Sequence, residues 1–190
     1  MALLPGVVGF LALCLFDINK IRWHSKKLNL LFVLGSLLLL LSTLLCVPAS
    51  FSAAFPWDLR RTAGLLGLML SGPGLIYVMF FALPFKETYT ESGSLPLVST
   101  GAYGVCRHPG FWMFIAFYFF LWLFFSGPQL VFGLILYTVC DYFYIYVQDR
   151  YIFPQYIRGY DDYRRSVPFL IPTRKSLKRA FSTKNTSVRR

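Results

Sequence analysis

Acidic residues are scarce in this chain: eight Asp and Glu stand against nineteen Lys and Arg, and charged types make up only 14% of the sequence. Hydrophobic types make up 56% and are gathered into long runs, which excludes an ordinary soluble domain. Cysteine is also sparse. Cys14, Cys46, Cys106 and Cys140 are scattered with no CxxC pair, so neither a zinc site nor a disulfide framework is supported. Three of them lie in or at the ends of apolar runs, where a thiol behaves as a small apolar side chain. No groove-reading motif accompanies the net charge of +11, which argues against nucleic acid as a partner. No internal repeat is present.

What is there is apolar length. A helix needs roughly 20 apolar residues to cross a bilayer, with a lower limit near 17. Leu28 to Val47 is such a run without a charge, and Thr62 to Phe85 is another. The sequence predicts an all-α integral membrane protein with about five spans, at 2–17, 28–48, 62–84, 110–126 and 128–147. The first apolar run is short, about 22 Å at helical rise. Its basic residues (Lys20, Arg22, Lys26, Lys27) follow it, and no small-x-small site is evident, so it reads as an anchor and not as a cleaved export signal.

Charge predicts the orientation. The loop 17–27 carries four basic residues, 84–109 carries two, and the chain from Arg150 onward carries eleven. The loops 48–61 and 126–128 carry two and none. With five spans every richly basic segment falls on one side, which predicts an outside N-terminus and a cytoplasmic C-terminus in contact with anionic membrane lipids.

The last two spans read as a tight hairpin turned at Ser126-Gly127-Pro128, with Pro128 starting a helix. Beyond Val147, residues 150–165 mix Tyr, Ile and Phe with Arg and Asp and suit an interfacial helix or helix pair. Pro154 argues against one unbroken helix there. From Thr173 the chain is polar and basic and reads as a mobile tail. The division that follows is an N-terminal membrane region 1–92, a region 93–172 that holds the hairpin and the interfacial segment, and a basic tail 173–190.

Chemistry concentrates in Leu95-Pro-Leu-Val-Ser-Thr-Gly-Ala-Tyr-Gly-Val-Cys-Arg107-His108-Pro109, a glycine-rich loop leading into the fourth span. Its glycines permit close backbone approach to a ligand. His108 offers a donor and an acceptor near neutral pH, and Arg107 pairs with carboxylate or phosphate. A membrane-interface turn would use the same residue types. The second stretch runs from Asp149 through Tyr160 and Tyr163 to Val167-Pro168 and Pro172. Asp141 stands within the fifth span, where a carboxylate is a functional candidate; the alternatives are an acceptor-lining acid or base and an interhelical tie.

Together the two stretches resemble the isoprenylcysteine carboxyl methyltransferase and phospholipid methyltransferase family. The resemblance rests on Leu97-Val98, Gly101, Tyr103, Arg107-His108-Pro109, Phe111, Asp149, Tyr160, Tyr163, Val167-Pro168 and Pro172, and covers roughly 93–172. It implies a cytosol-facing pocket for S-adenosylmethionine and a lateral opening for a lipidic or lipidated acceptor. By the resemblance, Leu95, Pro96, Leu97, Val98, Tyr103, His108, Pro109, Gly110, Phe111, Gln148 and Asp149 line the cofactor site. Arg107, His108 and Asp141 are the catalytic candidates. The chain departs from the family pattern at Gln148-Asp149, where two glutamates are usual, and at Gly104, where a basic residue is common. The position matching an acceptor-binding arginine is Tyr144 or Ile145, which leaves the acceptor open. Two other readings share the Arg-His-Pro pattern or the fold: an NADPH-dependent sterol-type reductase and a non-catalytic structural membrane protein.

Overall fold

Helix starts follow local chemistry. The protein's structure, a computed structural model, describes residues 1–47, 57–82 and 97–182. Among them the elements are helical: α1 (Leu4–Ile21), α2 (Leu30–Cys46), α3 (Leu59–Ile76), α4 (Ala102–Val105), α5 (Pro109–Phe125), α6 (Pro128–Val147), α7 (Phe153–Tyr156), α8 (Tyr160–Ser166) and α9 (Arg174–Ser182). Proline opens α5 and α6, where its missing N–H removes no helical bond. Asp58 caps α3 by accepting from the Arg61 N–H at 2.9 Å.

Four helical stretches are long and apolar enough to cross a membrane: Leu4–Ile21, Lys27–Cys46, Leu59–Phe81 and Pro128–Tyr156. The expected fifth, Pro109–Phe125, has 17 residues. At about 26 Å it sits at the lower limit of length for a span, where bilayer thinning is needed to cross. The outward face of α2 supports the membrane reading. Leu34, Leu37, Leu40, Leu41, Leu44 and Leu45 are all exposed. Burying one leucine is worth about 1.5–3 kcal/mol, so in water this row alone would forgo much of a domain's net stability. In lipid it carries no such cost.

The helices approach closely where side chains are small. A methyl group at Gly9 would lie 2.8 Å from the Gly35 carbonyl oxygen, and one at Gly35 would meet the Gly9 oxygen at the same distance. The α1–α2 crossing thus depends on both glycines, as small-residue packing in membranes does. At the centre, Tyr118 of α5 bonds Thr43 Oγ1 at 2.5 Å, and Tyr137 of α6 bonds Ser42 and the Leu3 carbonyl. These neutral hydroxyl pairs join α2, α5, α6 and the start of α1.

Two boundaries differ from the sequence expectation. The last span does not end at Val147: helix continues through a π-turn, Gln148–Ile152, into α7. Pro154 would crowd the carbonyls of a regular α-turn, and the wider π-turn relieves that crowding. The segment read as a mobile tail also forms helix α9 up to Ser182. Its start is a reciprocal cap, with Ser176 N–H donating to Thr173 Oγ1 at 3.1 Å and Thr173 N–H donating to Ser176 Oγ at 3.0 Å. α9 packs on α4, where Ala180 would lie 3.4 Å from a methyl group at Gly104. Side-chain size at position 104, not charge, governs that contact.

Candidate functional site

The site is built around Arg107. Gly101 adopts φ 59°, a conformation strained for other residues, and turns the chain into α4. The backbone is extended at Cys106, and the Arg107 N–H donates to the Pro168 carbonyl at 2.9 Å. This bond clamps the loop before α5 to the segment after α8.

The Arg107 side chain continues the clamp. Its Nε donates to Asp149 Oδ1 at 2.7 Å and Nη2 to Oδ2 at 2.9 Å, a bidentate pair. Nη1 donates to the Arg164 and Val167 carbonyls at 2.8 and 2.7 Å. Four of the five guanidinium N–H groups are thereby used. The two charged side chains are only 9% and 10% exposed. A buried pair is no guarantee of net stability, but removing one partner leaves the other charge stranded.

Tyr160 donates to Asp149 Oδ1 at 2.6 Å, so three donors meet the carboxylate. One acceptor position, on Oδ2, remains. Tyr163 donates to the Tyr103 carbonyl at 2.7 Å, and Tyr103 donates to the Val78 carbonyl at 3.2 Å. Burial, joined at Tyr160 by the Asp149 carboxylate, pushes both phenols of α8 well above the usual tyrosine range. Both remain neutral donors. Trp112 Nε1 donates to the Leu170 carbonyl at 2.9 Å and holds the following strap against α5.

His108 lies inside this frame. Its ring stacks on Phe153 at 5.9 Å and meets the edge of Phe169 at 5.1 Å. Nε2 is 3.4 Å from Asp149 Oδ1 without hydrogen-bond geometry, and is buried with no hydrogen-bond partner among the described residues. Burial, only partly offset by Asp149, holds the imidazole below its ordinary range. An orphaned buried nitrogen of this kind costs about 1–3 kcal/mol until a partner arrives.

Arg107, His108, Pro109, Tyr103 and Asp149 thus come together. Gly110 and Phe111 occupy the first turn of α5, with Phe111 edge-on to Tyr142 at 6.4 Å. Leu97 and Val98 begin the described part of the loop, Leu97 lying against Gly159. Leu95 and Pro96 lie outside the described residues. Two predicted residues point elsewhere. Gln148 Nε2 donates to Asp17 Oδ2 at 2.9 Å and ties α6 to α1. Asp141 is about 12 Å from Asp149 along the helix axis. Among the described residues it makes no hydrogen bond or ion pair, and it does not join the Arg107 cluster.

Phe169 and Asp17 escaped the sequence reading. Phe169 directly follows Val167-Pro168, and the Arg107 guanidinium lies over its ring at 5.6 Å. Asp17 could have been found as an acid at the end of an apolar run. A cavity of about 360 Å³ opens beside the ion pair, lined by Arg107, Tyr146, Asp149, Arg150, Arg164 and Phe169. A second, of about 350 Å³, follows residues 154–162 and shares only Tyr160 with the cluster. Comparison of the chain with models of protein families, with curated proteins and with solved structures yields no match.

Proposed function

We propose that this protein is a membrane-embedded S-adenosylmethionine-dependent methyltransferase acting on a lipidic or amphipathic acceptor. In this reading the N-terminus is outside, and the C-terminus and site face the cytoplasm. The observation that carries it is the orphaned His108 Nε2, buried between two aromatic rings and beside Asp149 and Arg107. Such a group is tolerated where a ligand completes it.

The residues fit the cofactor's chemistry. His108 Nε2 would meet its carboxylate or a ribose hydroxyl. The open acceptor position on Asp149 Oδ2 would take its amino group or a hydroxyl. Phe169, which lines the cavity, would offer an aromatic face for a sulfonium, worth about 0.5–2 kcal/mol. When bound, the cofactor supplies an electrophilic methyl group. The chain's own contribution is positioning and exclusion of water: Arg107 locks the loop to the strap, and Tyr160 holds the Asp149 carboxylate in place. A general base is required only for a protonated amine or a hydroxyl acceptor.

A thermal-shift and calorimetric titration of the full chain in detergent tests this reading with S-adenosylmethionine, S-adenosylhomocysteine and NADPH. The methionine-derived ligands are expected to stabilise the protein, and His108→Ala and Asp149→Ala to weaken their binding several-fold. Stabilisation by NADPH alone would turn the assignment to the reductase reading. No response to any ligand would favour a non-catalytic membrane protein. That second reading draws on Asp149, whose carboxylate already meets three protein donors.

A further inference from the structure

One ring belongs both to the cavity wall and to the seal over His108. His108 Nε2 is closed off from solvent, 3.4 Å from Asp149 Oδ1. Arg107, Asp149 and Phe169 line the cavity of about 360 Å³. The Phe169 ring stands against the imidazole at 5.1 Å between centroids, tilted 72° to it. Of these wall residues, Arg107 and Asp149 are locked to each other, and parting them strands a buried charge. On the other ring face Phe153 packs against Tyr160 at 5.4 Å, within the cluster of α8. Phe169 is tied only by ring contacts, to His108, to the Arg107 guanidinium at 5.6 Å and to Tyr142 at 6.3 Å. It is the wall residue that moves at least cost.

We infer that Phe169 is the gate of this site, a ring that must turn aside before a ligand in the cavity can reach His108 Nε2. The backbone on both sides of it is pinned. The Val167 and Pro168 carbonyls accept from Arg107, and the Leu170 carbonyl accepts from Trp112. The motion left to the strap is therefore rotation of the side chain, not lifting of the chain. There is room for it, since about 150 Å³ is enough to hold a benzene ring. The closed ring keeps water off a nitrogen that water would otherwise satisfy, and so preserves that nitrogen for the ligand. A ligand that needs the open ring has its apparent affinity reduced by the open fraction. The inference rests on reading His108 as the group a ligand completes, and not on which ligand completes it.

Carbethoxylation of the detergent-solubilised full chain near neutral pH, mapped by mass spectrometry, tests the gate. Diethyl pyrocarbonate acylates a neutral imidazole nitrogen, releasing carbon dioxide and ethanol, and the chain's two histidines serve as probe and control. His24 is exposed and should label promptly in every variant. His108 should label slowly in the unmodified chain, at a rate set by the open fraction. A minor conformer is commonly populated at about 0.1–10%, so Phe169→Ala should raise His108 labelling by at least about tenfold. Phe169→Leu keeps apolar bulk and should raise it less; it decides the matter if thermal unfolding shows the alanine variant unfolded. Trp112→Phe, which releases the Leu170 carbonyl, and Phe153→Ala should both leave His108 slow. Labelling of His108 as fast as His24 in the unmodified chain, or still slow in folded Phe169 variants, overturns the gate. An equal rise in Trp112→Phe assigns opening to the strap backbone, and an equal rise in Phe153→Ala assigns it to general loosening; either overturns the role of Phe169. S-adenosylhomocysteine should protect His108 in Phe169→Ala. A rise in labelling without that protection keeps the gate and removes the cofactor reading.

Discussion

Two polar clusters hold this protein together, and they are built on opposite principles. Between the apolar helices, Thr43 with Tyr118 and Ser42 with Tyr137 join neutral hydroxyls, and Thr43 and Tyr137 each also donate to a backbone carbonyl. At the end of the last span, Arg107, Asp149 and Tyr160 join full charges, while His108 Nε2 keeps unspent hydrogen-bonding capacity. The first cluster is closed. The second is structurally tight yet chemically incomplete. The difference teaches where to look for function: a group left unsatisfied beside a well-made clamp marks a ligand's place better than the clamp does.

The comparison can be broken most forcefully at Asp149. Asp149→Ala strands the Arg107 charge in a buried setting and should cost about 3–5 kcal/mol of stability, read by denaturant or thermal unfolding in detergent. Asp149→Asn, which keeps an acceptor, should cost less. Equal losses in the two variants would mean that the charge is not what matters.

Acid should separate the clusters next. His108 is held below its ordinary value near 6.5 by burial, so the unfolded chain takes up its proton first as pH falls. Its contribution to stability is whole above the unfolded value and is lost as pH drops below it. The loss is about 1.4 kcal/mol for each unit by which the folded value is depressed. Unfolding measured across pH 7.5 to 5.0, roughly spanning the histidine range, should show this slope, and His108→Gln should flatten it. A slope unchanged by that substitution would assign it to another group.

The smallest effect is expected among the hydroxyls. Tyr118→Phe should cost only about 0.6 kcal/mol, the usual worth of an interhelical hydrogen bond in a membrane protein. Thr43 Oγ1 keeps its bond to the Leu39 carbonyl at 2.8 Å, so no orphan is created. A double cycle with Thr43→Val measures the coupling. A value near that of the Arg107–Asp149 pair would erase the contrast between the clusters.

The fold was legible where local rules act. Pro128 marked a helix start and Ser126-Gly127-Pro128 marked the hairpin, in which Ser126 takes the left-handed conformation at φ 58°. Pro154 signalled an interruption, but whether a helix breaks or widens at a proline depends on what surrounds it, and here it widens into a π-turn. The tail was misread because polarity and charge dominate Thr173 to Ser182. The capping pair of Thr173 and Ser176, and the dock for Ala180 at Gly104, outweigh that composition.

The candidate site divides in the same way. Arg107, His108 and Asp149 were visible as residue types, but Gln148 was assigned to the same place and instead reaches Asp17, 131 positions away. Neighbours in sequence on a helix point in different directions, so Gln148 and Asp149 serve different elements.

By itself, then, the sequence determined that this chain forms helices long and apolar enough to cross a membrane and where those helices begin, because apolar length and proline geometry are properties of short segments. Tertiary structure alone decided that Arg107 closes on Asp149 across 42 positions, that His108 Nε2 has no hydrogen-bond partner among the described residues, and that Arg107, Arg150 and Arg164 line one cavity. A guanidinium or an imidazole accepts many partners, and only the packing of distant helices selects among them.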